Sequence, residues 1–456
     1  DIVNLRYKSC PEMAGQDQSD ESSNVIVSVI IPVHNAAEYI AETLTTVLAQ
    51  SLKEIEIILV NDSSTDNTLD IVTKIASEDS RVRVITNPSN VGGGESRNIG
   101  LRVATGEYII FLDDDDYADK EMLKRMSDRA TALQTDVVIC RCQSVDLQTN
   151  TRSPMPLSAR EDLLPEKEVF SSREIAEDFF RAFIWWPWDK LFRREAILAM
   201  GLEFQPLRTT NDLYFVSCFM LLANRISLVD EILISHTIHR AESLSSTRED
   251  SWHCALEALT SLRLFMQDRD LLASRSRDFN NYAVVFLEWH LNTISGSTFN
   301  PLFNEVKSFI LSLEIDRDDF YDDFIKAAYG RIVNQSAEEY IFSLKDRALR
   351  ELEHAQMMNS TLQEEMTSLK QSAVSQRSEI DVLKAQVGDK TTIIHELEQR
   401  NAHLEDEYQT QQQKLLSIEN AYQELTQRYT DLVSSLSWKM TKPLRLVKEI
   451  TARKKS

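Results

Sequence analysis

The chain has 456 residues, which is enough for more than one domain with a sizeable core. It carries 72 acidic and 50 basic side chains, a formal net charge of −22, which excludes a general nucleic-acid-binding protein with a basic face. Its five scattered cysteines have no CxxC or zinc-ligand spacing, so we expect reduced thiols in the cytosol. The sequence shows no signal peptide and no apolar run of about 18 residues, which predicts a cytoplasmic protein without a membrane span.

Strands and helices alternate after a polar lead-in at 1–23. The apolar β-branched run VIVSVIIPV at 25–33 predicts a strand buried on both faces. Further strands are predicted at 54–62, 81–87 and 107–116, and helices at 37–51, 65–79 and 92–105. This alternation predicts βαβ units and an α/β fold with a mostly parallel sheet.

Polar residues follow three of the predicted strands where each strand ends. His34 and Asn35 follow the first strand, 61–64 follows the second, and the run DDDD at 113–116 follows the fourth. In parallel sheets ligands bind beyond the carboxyl ends of the strands, so this edge is the predicted site. On an extended backbone Asp113 and Asp115 point the same way, which makes them the predicted pair.

After the lead-in, the chain divides into five predicted segments. The first, 24–125, contains the alternating strands and helices, and the second, 126–245, is where the alternation weakens. A helical extension at 246–335 is expected to form a lid or to extend the packing. A coiled coil at 336–436 and a basic amphipathic tail at 437–456 complete the chain.

A seven-residue repeat holds one register from Leu352 to Leu436. Of its 25 a and d positions 20 are apolar, which predicts a coiled coil rather than one long solvated helix. Asn359 and Asn401 occupy a positions, where asparagine favours two parallel strands. We therefore expect a parallel homodimer. Two interpretations of the tail after the coil stay open: it contacts an anionic membrane surface, or it is an ordinary solvated segment.

Four motifs carry a resemblance to a known family. They read VSVIIPVHNAAEYI at 27–40, ILVNDSSTDNT at 58–68, NVGGGESRNIGLRVATGEYIIFLDDDDY at 90–117, and WDKLFRRE at 188–195 with NDLYF at 211–215. In this order and spacing they resemble the family 2 glycosyltransferases of the GT-A fold, over roughly 25–245 of the chain. The resemblance implies a Rossmann-like sheet with flanking helices, with a nucleotide-sugar-binding half at 24–125 and an acceptor-binding half at 126–245.

The resemblance also implies a chemistry. A sugar, expected to be UDP-linked, leaves a nucleotide diphosphate with inversion and joins a glycan or lipid-linked acceptor. A divalent cation, Mn²⁺ or Mg²⁺, stabilises the leaving diphosphate and prefers carboxylate oxygens. A carboxylate base takes the proton of the acceptor hydroxyl. Surface polysaccharide assembly at the inner face of the cell membrane would suit such a protein.

Several residues inherit donor-side roles from the resemblance. Asp62 matches the aspartate that hydrogen-bonds the nucleotide base, and Pro32 and Asn35 match the lining of the same pocket. Arg97 matches a position near base or phosphate, and its other interpretation is a structural salt bridge. Asp113 lies on the ribose side and shares the metal with Asp115.

The remaining candidates lie at or after the aspartate run. Asp212 matches the catalytic base, although Asn211 precedes it where glutamate is usual. Asp116 is a further member of the run with a supporting role. The aromatic group Trp185, Trp186 and Trp188 suits either sugar stacking or core packing. The other candidates are Lys190 in the same motif, and His236, His239 and Arg240, for which metal or phosphate contact competes with a structural role.

Two other functions compete with transfer. A sugar nucleotidyltransferase would carry a glycine-rich loop with basic residues after the first strand, and PVHNAAEY occupies that place instead. An inactive domain on a coiled-coil scaffold would have no physical need for four adjacent carboxylates. Glycosyl transfer is therefore the predicted function.

Overall fold

The computed structural model describes residues 25–146, 149, 151–238, 249–294, 296–386 and 391–434. The chain forms two compact units that alternate along the sequence. The first unit comprises Asp1–Ile175, Phe183–Pro206 and Phe215–Arg240. The second comprises Ala176–Ala182, Leu207–Tyr214 and Ala241–Ser456. The predicted lead-in, His239, Arg240 and the basic tail at 437–456 lie outside the described residues.

Four parallel strands form one half of the sheet in the first unit. They are β1 (Val27–Val33), β2 (Ile55–Asn61), β3 (Val82–Thr86) and β4 (Tyr108–Phe111), in the order β3-β2-β1-β4. The helices between them are α1 (Ile40–Leu48), α2 (Thr68–Glu78) and α3 (Gly93–Val103). Every residue of β4 is buried, as a strand covered on both faces requires. The predicted alternation is confirmed here.

The other half of the sheet is mixed. Its strands are β5 (Tyr117–Ala118), β6 (Val137–Asp146), β7 (Thr151–Pro154), β8 (Lys190–Arg193) and β9 (Ile226–Ile238). Strand β8 lies between β4 and β6 and runs antiparallel to both, whereas β6 and β9 are parallel. Strand β5 pairs with β9 and β7 with β6, both antiparallel. The α/β fold class is confirmed, and the parallel arrangement is limited to the first four strands and the β6–β9 pair.

Two glycines bring the connections of the first unit close to its strands. A Cβ on Gly100 in α3 would lie 2.4 Å from Cγ2 of Ile30, and one on Gly106 would lie 2.6 Å from the main-chain nitrogen of Ser28. Such distances are far below van der Waals contact, so any side chain would push α3 or the start of β4 away from β1. The remaining helices with residues in this unit are α4 (Met122–Leu133), α6 (Arg194–Met200) and the later part of α7 (Asn211–Leu222).

The second unit is helical. Its first elements are α5 (Phe179–Ala182), α8 (Cys254–Asp268), α9 (Leu272–Thr293), α10 (Phe299–Ser312) and α11 (Asp323–Asn334). Two buried carboxylates on α9 are paired. Asp278 accepts hydrogen bonds from Tyr321 and Arg275, and Glu288 is paired with Arg331 and Arg347. Pairing of this kind is what an interior charge requires.

Two long helices complete the second unit: α12 (Ala337–Gln386) and α13 (Thr391–Ser434). Gln356 donates to the hydroxyl of Tyr422 across 66 residues, and Lys384 bonds Glu398 across only 14. A sequence separation that shrinks toward 387–390 is the signature of antiparallel packing. None of the described helices is long and apolar enough to cross a membrane.

The packed seam of α12 and α13 follows the predicted heptad register. Every described a and d position is buried or half-buried, and Ile380, Asn401 and Leu415 are the most buried among them. The predicted homodimer stays a prediction. The predicted parallel orientation, however, needs correction in this seam, which two antiparallel helices of one chain fill. The reason is physical: a heptad repeat fixes which positions face inward, and any complementary apolar stripe can cover them.

Candidate functional site

Asp62 fixes the glycine-rich loop at the carboxyl end of β2. Its buried carboxylate accepts hydrogen bonds from the main-chain N–H of Val91 at 2.8 Å and of Gly92 at 2.7 Å. The amide of Asn87 donates a third bond at 2.9 Å. A carboxylate offers about four lone-pair positions, so most of its capacity holds this loop. The sequence did not reveal this structural role, and contact with a nucleotide base stays a prediction.

Asn35 ties the turn after β1 to the turn after β2. Its backbone is left-handed, with φ of 50°, a conformation that asparagine tolerates. Its Oδ1 accepts from the N–H of Thr65 at 2.8 Å, and its own N–H donates to Oγ of Ser64 at 3.1 Å. Pro32 is half-buried within β1, close before this turn. Both predicted pocket residues thus lie toward the carboxyl edge of the parallel strands.

Three titratable side chains converge beyond β4. Asp113, Asp116 and His236 each offer one ligand atom, and these atoms lie within 4.8 Å of one another. Nδ1 of His236 lies 2.8 Å from Oδ1 of Asp116, and the N–H of Asp113 donates to Oδ2 of Asp116 at 3.2 Å. Strand β9, which pairs with β5, supplies the histidine. We refer to these three residues as the acidic cluster.

The aspartate run is a turn, not an extended strand. Strand β4 ends at Phe111, and the N–H of Asp116 lies 3.4 Å from the carbonyl oxygen of Asp113. The parity argument that paired Asp113 with Asp115 is therefore wrong, because alternation holds only along extended backbone. Asp115 is buried and its carbonyl oxygen accepts from Oγ1 of Thr237 at 2.6 Å. Its role as a metal ligand stays a prediction.

Arg97 is bonded to the acidic cluster. Its Nη2 lies 2.6 Å from Oδ1 of Asp113, and its side chain is only 8% exposed. The structural salt bridge considered for this residue is thus observed. Contact of Arg97 with base or phosphate stays a prediction.

The electrostatics of the cluster favour a positive charge between its carboxylates. Burial raises the pKa of Asp116. Burial alone would lower the pKa of His236, but the charges of Asp116, Asp113 and Asp115 raise it to about 9. A divalent cation can supply the same positive charge, and two carboxylates with one imidazole form a donor set suited to Mn²⁺ or Mg²⁺. The residues present therefore fit the expected metal.

Two tryptophan rings contact the histidine of the cluster. The ring of Trp188 is stacked on that of His236, with centroids 4.9 Å apart and planes at 13°, and Trp186 lies at 5.3 Å. Trp188 is 1% exposed, so it packs in the interior and cannot stack on a sugar. Trp185 and Trp186 are half-buried, so sugar stacking and core packing both stay open for these two residues.

The remaining candidates are not members of the acidic cluster, or they fall outside the described residues. Lys190 is fully buried and paired with Asp189, whose pKa burial raises to about 6 in spite of the lysine. Asp212 lies in the first turn of α7 and belongs to the second unit, and its assignment as the base stays a prediction. His239 and Arg240 fall outside the described residues.

Comparison with known proteins extends this picture. Residues 28–200 match the model of the family described as Glycosyl transferase family 2. The chain is 34% identical over 211 residues to the uncharacterized glycosyltransferase EpsJ of Bacillus subtilis, covering 45% of this chain and 59% of EpsJ. It is 30% identical over 272 residues to the cholesterol galactosyltransferase of Borreliella burgdorferi, covering 58% of this chain and 73% of that protein.

Among solved structures, residues 1–349 of Staphylococcus aureus TarS in complex with UDP-GlcNAc are similar to this chain. The TM-score is 0.49 and the sequence identity 22%, and the match covers 67% of this chain and 90% of TarS 1–349.

Proposed function

Because the chain belongs to glycosyl transferase family 2, we propose that it transfers a sugar, with inversion, from a nucleoside-diphosphate donor to a hydroxyl group of a glycan or lipid-linked acceptor. The observation that carries the proposal is the acidic cluster of Asp113, Asp116 and His236 at the carboxyl edge of the sheet. A ligand at this edge is what an open α/β sheet favours.

The donor in this proposal is a UDP-linked sugar. The loop that Asp62 fixes and the turn that contains Asn35 follow neighbouring parallel strands, β2 and β1. Main-chain N–H groups of a glycine-rich loop are natural partners for phosphate oxygens. Asp62 then has two roles, because it holds the loop in place and its remaining acceptor capacity contacts the base.

The acidic cluster would hold a divalent cation through Asp113, Asp116 and His236, with Asp115 a further ligand suggested by the sequence. When bound, the cation neutralises the negative charge that develops on the diphosphate as the sugar leaves. Arg97 orients Asp113 through its salt bridge, and the proposal gives its guanidinium a second contact with the phosphates. The three ligating side chains come from the turn after β4 and from β9, so the sheet itself sets their spacing.

Asp212 is the proposed base. A carboxylate at this point accepts the proton of the acceptor hydroxyl as the oxygen attacks the anomeric carbon. The residue before it is the uncharged amide Asn211, so Asp212 has no carboxylate directly before it in the sequence. With a glycan or lipid-linked acceptor, the proposed process is surface polysaccharide assembly, and the proposed location is the cytoplasm at the inner face of the membrane.

The proposal is tested by thermal unfolding of the full chain against a panel of nucleotide sugars, each with and without Mn²⁺. A bound ligand stabilises the folded protein by mass action, by about 2.7 kcal/mol at 100 times its dissociation constant. We expect one UDP sugar to raise the melting temperature, and only when Mn²⁺ is present. If every nucleotide sugar leaves the melting temperature unchanged, the proposed donor class is wrong.

A further inference from the structure

A fully buried ion pair lies next to the aromatic segment at 184–188. Asp189 and Lys190 are both 0% exposed, and Nζ of Lys190 lies 2.6 Å from Oδ1 of Asp189. Burying two charges costs more free energy than their attraction returns unless the remaining hydrogen-bonding groups are satisfied. What the pair does therefore depends on the other bonds that the ammonium of Lys190 makes.

The ammonium of Lys190 uses all of its hydrogens on this segment. It donates to the carbonyl oxygens of Ile184 at 2.7 Å and Trp186 at 2.9 Å, in addition to Asp189. An ammonium has three hydrogens, so none is left over. Pro187 follows Trp186 and has no N–H of its own, which limits how the segment can be held by main-chain bonds. Two of the three bonds of Lys190 therefore hold this segment, in addition to the main-chain bonds from Ile184 to Ser158 and from Lys190 to Pro187.

The segment that Lys190 holds is also the segment that contacts the acidic cluster. Trp186 and Trp188 lie on either side of Pro187, and their ring centroids are 5.3 and 4.9 Å from that of His236. The other restraint on this imidazole is the bond between its Nδ1 and Asp116. A ring that is packed on its face and bonded at one nitrogen has a single orientation.

We propose that Lys190 is a positioning residue of the candidate site: its ammonium fixes the segment 184–188, and Trp186 and Trp188 thereby hold the His236 ring toward Asp113 and Asp116. Lys190 is fully buried and is not a member of the acidic cluster, and it acts through hydrogen bonds to two carbonyl groups. The inference rests on the proposed function in one respect, that the acidic cluster is the cation site. Residues that orient a metal-binding histidine typically contribute about 10–100-fold to metal affinity.

The test uses the full chain with Lys190→Met, which removes every donor at nearly constant length. Two quantities are measured: the NMR shift of the His236 imidazole protons, assigned with His236→Gln, and the dissociation constant for Mn²⁺ by calorimetry. Stacking against Trp188 shifts the imidazole protons upfield in the parent protein. We expect this shift to be lost in Lys190→Met and the Mn²⁺ dissociation constant to rise roughly tenfold.

Lys53→Met is the matched control. Lys53 is an exposed lysine that also donates to a main-chain carbonyl, that of Gln50, at 2.7 Å, and it precedes β2 at the amino end of that strand. This variant is expected to keep both the upfield shift and the Mn²⁺ affinity. If Lys190→Met is folded and also keeps both, Lys190 has a structural role only and the proposal is overturned.

A second variant covers the case in which Lys190→Met does not fold, because it leaves Asp189 buried without its partner. In the double variant Asp189→Asn with Lys190→Met no charge remains, so stability should recover. The proposal expects the shift and the Mn²⁺ affinity to stay lost, since the carbonyl groups of Ile184 and Trp186 still lack a donor. Recovery of both would show that Lys190 only balances charge.

The two measurements separate this proposal from the proposed function. If the His236 shift is present in the parent protein and lost in Lys190→Met, but the parent binds no Mn²⁺, then the positioning role stands and the cation site is wrong. If the parent binds Mn²⁺ and Lys190→Met binds it equally well with an unchanged His236 shift, the cation site stands and the positioning role is wrong.

Discussion

The carboxyl edge of the parallel strands and the seam between α12 and α13 were both predicted from periodic sequence patterns. The prediction identified which strand ends meet at the edge, but in the seam it identified only the inward positions and not the helix that covers them. At the edge, the order of strands follows from short right-handed connections, so polar residues at successive strand ends must meet. In the seam, the repeat marks the inward positions and leaves the partner undefined. Connectivity, not periodicity, determines which surfaces meet.

The polar residues of the seam show what the intrachain pairing costs. The side-chain oxygens of Asn359, Gln376, Asn401 and Gln411 are buried without a hydrogen-bond partner in the described part of the chain. In a parallel pair of chains each of these residues would face its own copy, and the amides could bond each other. The hairpin and the two-chain coil are therefore distinguishable by experiment.

The largest expected effect comes from a cross-link between the two helices. With Gln356→Cys and Tyr422→Cys, whose parent side chains are hydrogen-bonded at 3.0 Å, a short bis-maleimide should join the two helices within one chain. Cys10 is changed to serine, and the four described cysteines are buried and form no disulfide with one another. The product is identified by mass spectrometry of the monomer.

The control pairs Gln356→Cys with Glu398→Cys, a residue that instead bonds Lys384 in the hairpin, and should give no intrachain product. In a continuous coil the 66 residues from 356 to 422 would span about 99 Å at about 1.5 Å per residue. The contradicting outcome is a product of dimer mass in which the thiols introduced at position 356 link two chains, with no intrachain product. It would refute the hairpin and support the predicted two-chain coil.

The next largest effect concerns the aspartate run. Asp116→Asn should lower the rate of sugar transfer about 100-fold, because an amide cannot supply the negative charge that a cation site needs. Asp114→Asn is the control, since Asp114 lies in the same turn, is half-exposed and accepts a long bond from the N–H of His34 at 3.4 Å. It should retain most of the activity. Rates are measured under saturating donor with Mn²⁺.

Equal losses in both variants would mean that the run acts only through its total charge. Full activity in Asp116→Asn would remove Asp116 from the site and return the assignment to Asp113 and Asp115. Thermal unfolding of both variants, measured in parallel, shows whether a loss of activity reflects a loss of structure, which matters for a side chain as buried as that of Asp116.

The same contrast explains how much of the site the sequence could reveal. Strand ends locate the aspartate run, but the chain leaves β4 in a turn and continues into β5, which pairs with the distant strand β9, and no local pattern encodes that pairing. His236 reaches the cluster along β9, 120 residues away from Asp116. In the sequence Lys190 is only one of several charged residues in its motif. Its burial depends on the fold of 184–188, which the sequence pattern does not show. Residues whose role depends on distant partners are the ones that sequence reasoning misses.

The smallest expected effect sharpens the comparison within the seam. Asn401 is buried with an unpartnered Oδ1, and its Nδ2 bonds Glu405 on the same helix. Asn401→Leu should therefore stabilise the hairpin by about 1 kcal/mol, since an unsatisfied polar atom is replaced by buried apolar surface. Hydrogen exchange of α13 amides should slow about fivefold, as that free energy implies.

Gln399→Leu on the exposed face of α13 is the control and should change exchange by much less, because exposed substitutions are usually within about 0.5 kcal/mol. The mass of each variant in solution also distinguishes the hairpin from the two-chain coil. In a hairpin the substitution changes stability alone, whereas in a parallel two-chain coil the loss of an a-position asparagine changes the oligomeric state. A shift in mass by light scattering for Asn401→Leu, with none for Gln399→Leu, would therefore assign the seam to two chains.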